Sequence, residues 1–216
     1  MRRELIMKQR HILITAGPTH EPIDAVRYLA NRSSGTMGIA LATAFAGAGH
    51  KVTLLLGPVH HAVPTNVTCK PFQSTADLQK LLTEFFPTCD VLIMAAAVAD
   101  YRVKAGSAGK LERKGEGLTL ELASTPDLVA ECAARKRDDQ TIIGFALEEP
   151  AALADRAQEK LSRKRLDAIV ANPLETMSAA DINATVYTAT GQTHTPGPMS
   201  KPDFARWLVR WLGSSN

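Results

Sequence analysis

The sequence predicts an α/β protein with a mainly parallel sheet and helices on both faces. Strand-like runs alternate with helical patterns, several of the runs are apolar without a break, and the segments between them carry glycine, proline and serine. Such alternation favours βαβ units. An unbroken run such as Val91-Leu92-Ile93-Met94-Ala95-Ala96-Ala97 suits a central strand covered on both sides.

The expected strands are Ile12–Ala16, Lys51–Leu56, Val91–Ala97, Leu118–Leu122, Thr141–Ala146, Ala168–Ala171 and Ala184–Thr190. Helical patterns fall at Met37–Ala48, Ala76–Phe86, Asp127–Lys136, Ala151–Arg165 and Pro202–Leu212. Near the end, Asn183–Thr193 alternates and carries Gly191-Gln192, which predicts C-terminal antiparallel edge strands rather than another βαβ step. The stretch Asp100–Gly117, DYRVKAGSAGKLERKGEG, reads as a long mobile flap, and its length favours a functional reason for it. Met1–Arg10 has basic residues but no apolar core of seven or more, so it reads as an N-terminal arm rather than a signal peptide or membrane anchor. The expected organisation is this arm over 1–10, then one domain over 11–216 with the flap at about 101–117.

With 216 residues, 45% of them hydrophobic and 22% charged, the chain can bury a full core. A net charge of +3, a pI near 8.8 and only 5% aromatic residues give little support to a nucleic-acid surface and suit acidic small molecules. Cys69, Cys89 and Cys132 are odd in number and contain no CxxC pair, which points to reduced, space-filling thiols in a cytoplasm-like compartment. The pair His60-His61 has no third ligand at a suitable spacing and reads as surface loop.

The stretch Ile12–Ala48 organises the rest. Its apolar run ends at Gly17-Pro18-Thr19, a polar loop follows, and Ser33-Ser34-Gly35-Thr36-Met37-Gly38 opens a helix. A helix start has unpaired N–H groups and partial positive charge, so small residues there let an anion approach. The spacing is not GxGxxG, and a purely structural βα turn is the competing reading.

In an open parallel sheet, ligands gather outside the carboxyl ends of the strands. That rim collects Gly17-Pro18-Thr19, Gly57-Pro58-Val59, Asp100-Tyr101-Arg102, Glu148-Glu149 and Asn172-Pro173. From the flap, Lys104, Lys110, Arg113 and Lys114 would offer cations to a polyphosphate, and Asp100 would hold magnesium or a ribose. For any one of these lysines, a solvated surface charge is the competing reading. Arg156, Lys160 and Lys164 recur at i, i+4 and i+8, so they share one helix face directly after the Thr141–Glu148 run, within reach of the same rim.

These residues resemble phosphopantothenoylcysteine synthetase, the ligase of coenzyme A biosynthesis. The resemblance rests on TAGPTHEPIDAVRYLANRSSGTMG, GPV at Gly57–Val59, AAAVADYR at Ala95–Arg102, KLERK at Lys110–Lys114, TPDLV at Thr125–Val129, GFALE at Gly144–Glu148 and AN at Ala171–Asn172. It implies a Rossmann-like fold and a homodimer. In bacteria the family's activity usually forms the C-terminal half of a fusion with a flavin-dependent decarboxylase. This chain has no room for that domain, so a free-standing cytoplasmic synthetase without flavin is expected, with a separate decarboxylase as a possible partner.

The resemblance further implies a CTP- and Mg²⁺-dependent reaction: 4′-phosphopantothenate is converted to an acyl-cytidylate with release of pyrophosphate, and the amine of L-cysteine then displaces CMP. Such chemistry is carried by positioning and electrostatic stabilisation and requires no protein nucleophile. Position by position, Asn31 matches the asparagine that stabilises the acyl-cytidylate, and Lys110 the flap lysine needed for the chemistry. Ala96, Asp100, Phe145, Lys160 and Lys164 fall on nucleotide-binding positions, and Pro126 with its neighbours Asp127, Leu128 and Val129 opens a helix beside the cytosine. From the cradle and the rim themselves, Gly17, Ser34, Gly35 and Gly57 are also expected at the nucleotide and Asp100 at the metal. The flap departs from the family at Glu112, where a second lysine is usual, and Glu149-Pro150-Ala151 carries one extra residue. Two other classes compete: an NAD(P)-dependent oxidoreductase, for which the glycine fingerprint is missing, and a catalytically degraded regulatory homologue.

Overall fold

The computed structural model describes residues 9–113, 115, 117–176 and 179–214. Residues 1–8 of the expected arm and the flap residue Lys114 lie outside the described residues. In chain order, β1 (His11–Ala16) leads to a small antiparallel ribbon of β2 (His20–Pro22) and β3 (Tyr28–Ala30), then to α1 (Thr36–Gly47). Next come β4 (Lys51–Leu56), β5 (Thr68–Pro71), α2 (Thr75–Phe85) and β6 (Val91–Met94). A second ribbon pairs β7 (Tyr101–Val103) with β8 (Leu122–Ser124). The alternating part ends with α3 (Leu128–Ala134), β9 (Thr141–Glu148), α4 (Leu153–Arg163) and β10 (Ala168–Pro173). Four short strands, β11 (Asp181–Ile182), β12 (Thr185–Thr188), β13 (Thr193–His194) and β14 (Met199–Ser200), precede α5 (Lys201–Ser214).

The main sheet has the order β13-β12-β10-β9-β6-β1-β4-β5. It is parallel from β10 to β5, and β12 and β13 are added antiparallel at the β10 edge. Side chains of a strand alternate between faces, so the apolar run of β1 feeds two cores. Ile12 and Ile14 pack with Leu41, Phe45, Phe204 and Leu208 under α1 and α5, while Leu13 joins Leu78, Leu82, Leu128 and Leu161 under α2, α3 and α4. Both faces are therefore dry, and a continuous apolar run is what such a strand requires. Local signals fix the ends of elements: Ser74 and Asp77 form a reciprocal capping box at the start of α2.

Three expectations need correction. The run Leu118–Leu122 is not a strand of the sheet; only Leu122–Ser124 pairs, with β7, and Leu118 is 60% exposed, so its apolar character found no covered face. The flap is accordingly not wholly irregular, since its first residues are β7. The strand expected over Val91–Ala97 ends at Met94, although its continuation stays stitched to the exit of β1. The edge strand β5 was missed because TCKP is short, mostly exposed and ends in proline, a composition that edges tolerate and periodicity does not flag.

Candidate active site

From β1 the chain crosses to β4 on one side and later returns to β6 on the other, so the strand order reverses between β1 and β6. This is the switch point at which open α/β sheets leave a crevice. Beyond the strand ends the two exit loops remain joined. Ala97 N–H donates to Gly17 O at 2.9 Å, Thr19 N–H donates to Ala97 O at 3.3 Å, and Ala99 N–H donates to Thr19 Oγ1 at 3.0 Å. Thr15 Oγ1 accepts from Ala96 N–H at 3.1 Å. Two buried threonines thus hold the Ala95–Asp100 loop rigidly beside the start of α1.

A cavity of about 1030 Å³ opens at this point. Asn31, Ser34, Gly35, Ala96, Asp100, Pro126, Asp127, Leu128, Val129, Phe145, Lys160 and Lys164 all line it. Segments far apart in sequence therefore meet where the exit loops were expected to gather. Gly17, Gly57 and Lys110 are not among its lining residues.

The two glycines sit one layer behind. A Cβ on Gly57 would fall 2.2 Å from Pro18 O, and one on Gly17 would meet Gly57 Cα at 3.3 Å. Their smallness lets the β1 and β4 exit loops touch. Gly35 stands at the cavity itself, as the N-cap of α1 with φ of 74°; no side chain caps the helix and its first turn has no acidic residue. Gly35 N–H and Thr36 N–H are only loosely engaged, donating to Ser33 Oγ at 3.4 Å and Ser34 Oγ at 3.5 Å, so the start of α1 can receive an anion.

Asn31 follows β3, and its Nδ2 donates to Val98 O at 3.0 Å. That bond ties the first loop to the β6 exit and leaves the second Nδ2 N–H and the amide oxygen for a ligand. Lys110 is exposed, and its neighbour Leu111 is anchored to the first ribbon. Leu111 N–H donates to Asp24 Oδ2 at 3.1 Å, and Leu111 O accepts from Arg27 Nη2 at 2.9 Å. Asp24 is buried and also accepts the Val26 and Arg27 amides, each at 2.8 Å. The Arg27 guanidinium beside it, helped by these amides, holds its carboxyl well below the usual carboxylate range.

The basic stripe on α4 does reach the rim, where it meets carboxylates. Lys160 pairs with Glu148, which is 5% exposed, and Arg156 lies 3.5 Å from the same carboxylate. Lys164 pairs with Asp127 at 3.0 Å, and Asp127 in turn caps α3 by accepting from Ala130 N–H. Phe145 is half-buried against the α1 and α5 core and also lines the cavity, so packing and ligand contact are both open to it.

Asn172, Arg163, Asp181 and Lys201 also line the cavity. The AN motif placed Asn172 on the rim, but nothing in periodicity or spacing singled out Lys201, which reads simply as the polar start of a helix. Burial pushes the Cys89 thiol up to about 12 and the Cys132 thiol to about 11, so both keep their protons at neutral pH. Among the described residues no group of three or more His, Cys, Asp or Glu side chains is arranged to hold a metal ion, and no helix is long and apolar enough to cross a membrane.

Fold and cavity define a doubly wound α/β protein with its ligand crevice at the switch point. The chain belongs to the family of the DNA/pantothenate metabolism flavoprotein C-terminal domain, whose model matches residues 7–214. It is 38% identical over 213 residues to the coenzyme A biosynthesis bifunctional protein CoaBC of Bacillus subtilis (strain 168), covering 96% of this chain and 52% of that protein. It is 42% identical over 167 residues to a cysteine/cysteine sulfinic acid decarboxylase from an unknown prokaryotic organism, covering 77% of this chain and 46% of that protein. The chain thus spans about half the length of these curated relatives. The crystal structure of the C-terminal domain of a CoaBC protein superposes with a TM-score of 0.83 at 32% identity, covering 96% of each chain.

Proposed function

We propose that this chain is a phosphopantothenate–cysteine ligase of coenzyme A biosynthesis, using CTP. The observation that carries the reading is the convergence on one cavity of Asn31, the loop from Ala96 to Asp100, the start of α3, Phe145 and the two α4 lysines. Kinship with the C-terminal part of a coenzyme A biosynthesis protein agrees with it.

The first step brings together a triphosphate, a carboxylate and a phosphate monoester, and its main obstacle is accumulated negative charge. The carboxylate of 4′-phosphopantothenate attacks the α-phosphorus of CTP, and pyrophosphate leaves. In this step the amides opening α1 receive phosphate oxygens, and Lys160 and Lys164 turn from their carboxylates toward the nucleotide. Pro126 to Val129 and the Phe145 ring border the nucleoside. Lys110 is brought over the triphosphate by the flap, whose anchor at Leu111 lies next to it. The amine of L-cysteine then attacks the acyl carbonyl, CMP departs, and Asn31 orients that carbonyl through the amide group fixed on Val98 O.

Magnesium takes few carboxylates and many phosphate or water oxygens. Asp100, Asp127 and Asp181 line the cavity without forming a group of three metal-holding side chains among the described residues, and Asp127 is paired with Lys164, which fits an ion that arrives with the nucleotide rather than one held in a protein cage. There the ion would neutralise phosphate charge. The reaction is redox-neutral and needs no flavin in this domain. A homodimer in the cytoplasm, supplied with phosphopantothenate and followed by a flavin-dependent decarboxylase activity acting on the product, completes the proposal. No nucleic acid or membrane partner enters it. The oxidoreductase alternative is weaker, since β4 ends in Leu54-Leu55-Leu56 and Gly57 follows, with no acid for a ribose.

The test is pyrophosphate release by purified protein given CTP, Mg²⁺ and phosphopantothenate, with coupled product appearing only when cysteine is added. In Asn31→Asp, the acyl-cytidylate is expected to persist in the mass spectrum while cysteine coupling fails. Wild-type protein that releases no pyrophosphate with CTP or ATP would refute the ligase reading, and a clear kinetic preference for ATP would overturn the nucleotide assignment alone.

A further inference from the structure

The wall of the cavity built by α5 holds a cation that no step above uses. Lys201 opens this helix, is 9% exposed and lines the cavity. Among the described residues its ammonium makes no hydrogen bond or ion pair; only its backbone N–H is engaged, donating to Ala180 O at 3.3 Å. Burial lowers its pKa. The placement is doubly unfavourable in the protein alone, because the charge is desolvated and stands at the positive end of a 14-residue helix.

Neighbouring acids do not relieve it. Asp203, in the first turn of α5, accepts from Ser200 Oγ at 2.5 Å and from Arg206 Nη2 at 2.5 Å. Asp181 is in register with Ser200 across the β11–β14 pair and also lines the cavity, yet it forms no ion pair with Lys201.

A second observation comes from a different element. Asn172, near the end of β10, lines the same cavity at 9% exposure, and its Oδ1 is buried without a hydrogen-bond partner. Buried acceptors are nearly always matched, and an unmatched one beside a ligand cavity marks where a donor is to come from. Gly35, the N-cap of α1 with no side-chain cap bond, lines the same cavity.

We propose that Lys201 and Asn172 form one ligand subsite, in which the ammonium binds a phosphate group and Asn172 Oδ1 accepts from a hydroxyl or amino group of the substrate carrying it. The proposal rests on the ligase reading, which supplies two such substrates: CTP and 4′-phosphopantothenate each combine phosphate with hydrogen-bond donors. A cation on a buried residue with no counter-ion among the described residues is a strong anchor for either, since the ligand supplies the missing charge.

The experiment is calorimetric titration of wild type and Lys201→Met with CTP and Mg²⁺, with 4′-phosphopantothenate, and with inorganic pyrophosphate. The expected result is roughly 10- to 100-fold weaker binding of at least one phosphate substrate by the variant, and the substrate affected identifies which phosphate Lys201 holds. Without ligand, Lys201→Met is expected to melt at or above the wild-type temperature, because a desolvated charge has been removed. Wild-type affinity of the folded variant for all three probes would overturn the proposal. Should Lys201→Met fail to fold, Asn172→Ala is judged by the same titrations with CTP and phosphopantothenate. A wild-type protein that binds neither substrate but binds pyrophosphate, with that binding lost in Lys201→Met, would sink the ligase reading and leave the subsite standing.

Discussion

On the α3 and α4 wall of the cavity, Lys160 and Lys164 meet Glu148 and Asp127, whereas on the α1 and α5 wall Lys201 pairs with no carboxylate among the described residues. Under the proposed function, the difference separates two ways of keeping cations ready for a polyanion. A paired lysine is already compensated and must exchange partners when the ligand arrives, so it supports both the fold and the site. An unpaired buried lysine supports only the site, and the fold bears its desolvation until a ligand comes. Lys110 stands with the unpaired group, exposed and with no ion pair among the described residues, beside an anchored Leu111.

The comparison predicts that unpaired cations cost function when removed and paired ones cost stability as well. The largest effect is expected for Lys110→Gln: a turnover loss on the order of 100-fold or more with an unchanged melting curve. Wild-type rates in that variant would break the assignment of the flap. Next is Lys160→Met, which leaves the Glu148 carboxylate buried with Arg156 alone as its neighbour. A destabilisation of about 2 kcal/mol is expected in urea titration, below the full cost of a broken buried pair because Arg156 remains.

The Asp24 clamp sharpens the comparison through pH. Its folded pKa lies below the unfolded value, so its stabilisation is complete above the ordinary carboxylate range. That stabilisation declines as pH falls from this range toward the folded value. Protection of the Leu111 amide from hydrogen exchange should therefore persist at pH 4, once corrected for the intrinsic rate, and should disappear in Asp24→Asn. The smallest effect is expected for Lys164→Met, whose partner Asp127 is 42% exposed: under about 1 kcal/mol in the same urea titration, with nucleotide binding weakened more than stability. A larger loss of stability there than in Lys160→Met would reverse the ranking.

Much of the fold was legible because burial on both faces leaves a one-dimensional trace. The runs in β1 and β4 are mostly apolar and buried beyond their first residue, that in β6 is wholly apolar, and the capping pair Ser74 and Asp77 marks the start of α2. Leu118 misled because an exposed leucine has the same letter as a buried one. The rim was legible too, since exit loops of parallel strands share one edge, and the family motifs placed Asn31, Asp100 and Phe145 there. What could not be read was the layering of that rim. Gly57 and Gly17 proved to be packing glycines behind the cavity, and the α4 stripe, which spacing alone leaves as a solvated face, turned out to grip Glu148 and Asp127.

By itself, then, the sequence determined the alternating architecture, the two-sided cores and the edge at which polar loops collect, because each depends on the residue types within a short window. Only the tertiary structure decided which charges are answered and which are left open. Lys160 finds Glu148 across the turn from β9 to α4, while Lys201 and Asn172 arrive from separate elements at one cavity, with Asn172 Oδ1 unmatched and the Lys201 ammonium without an ion pair among the described residues. Electrostatic compensation depends on distance and desolvation, and neither exists until the chain has folded.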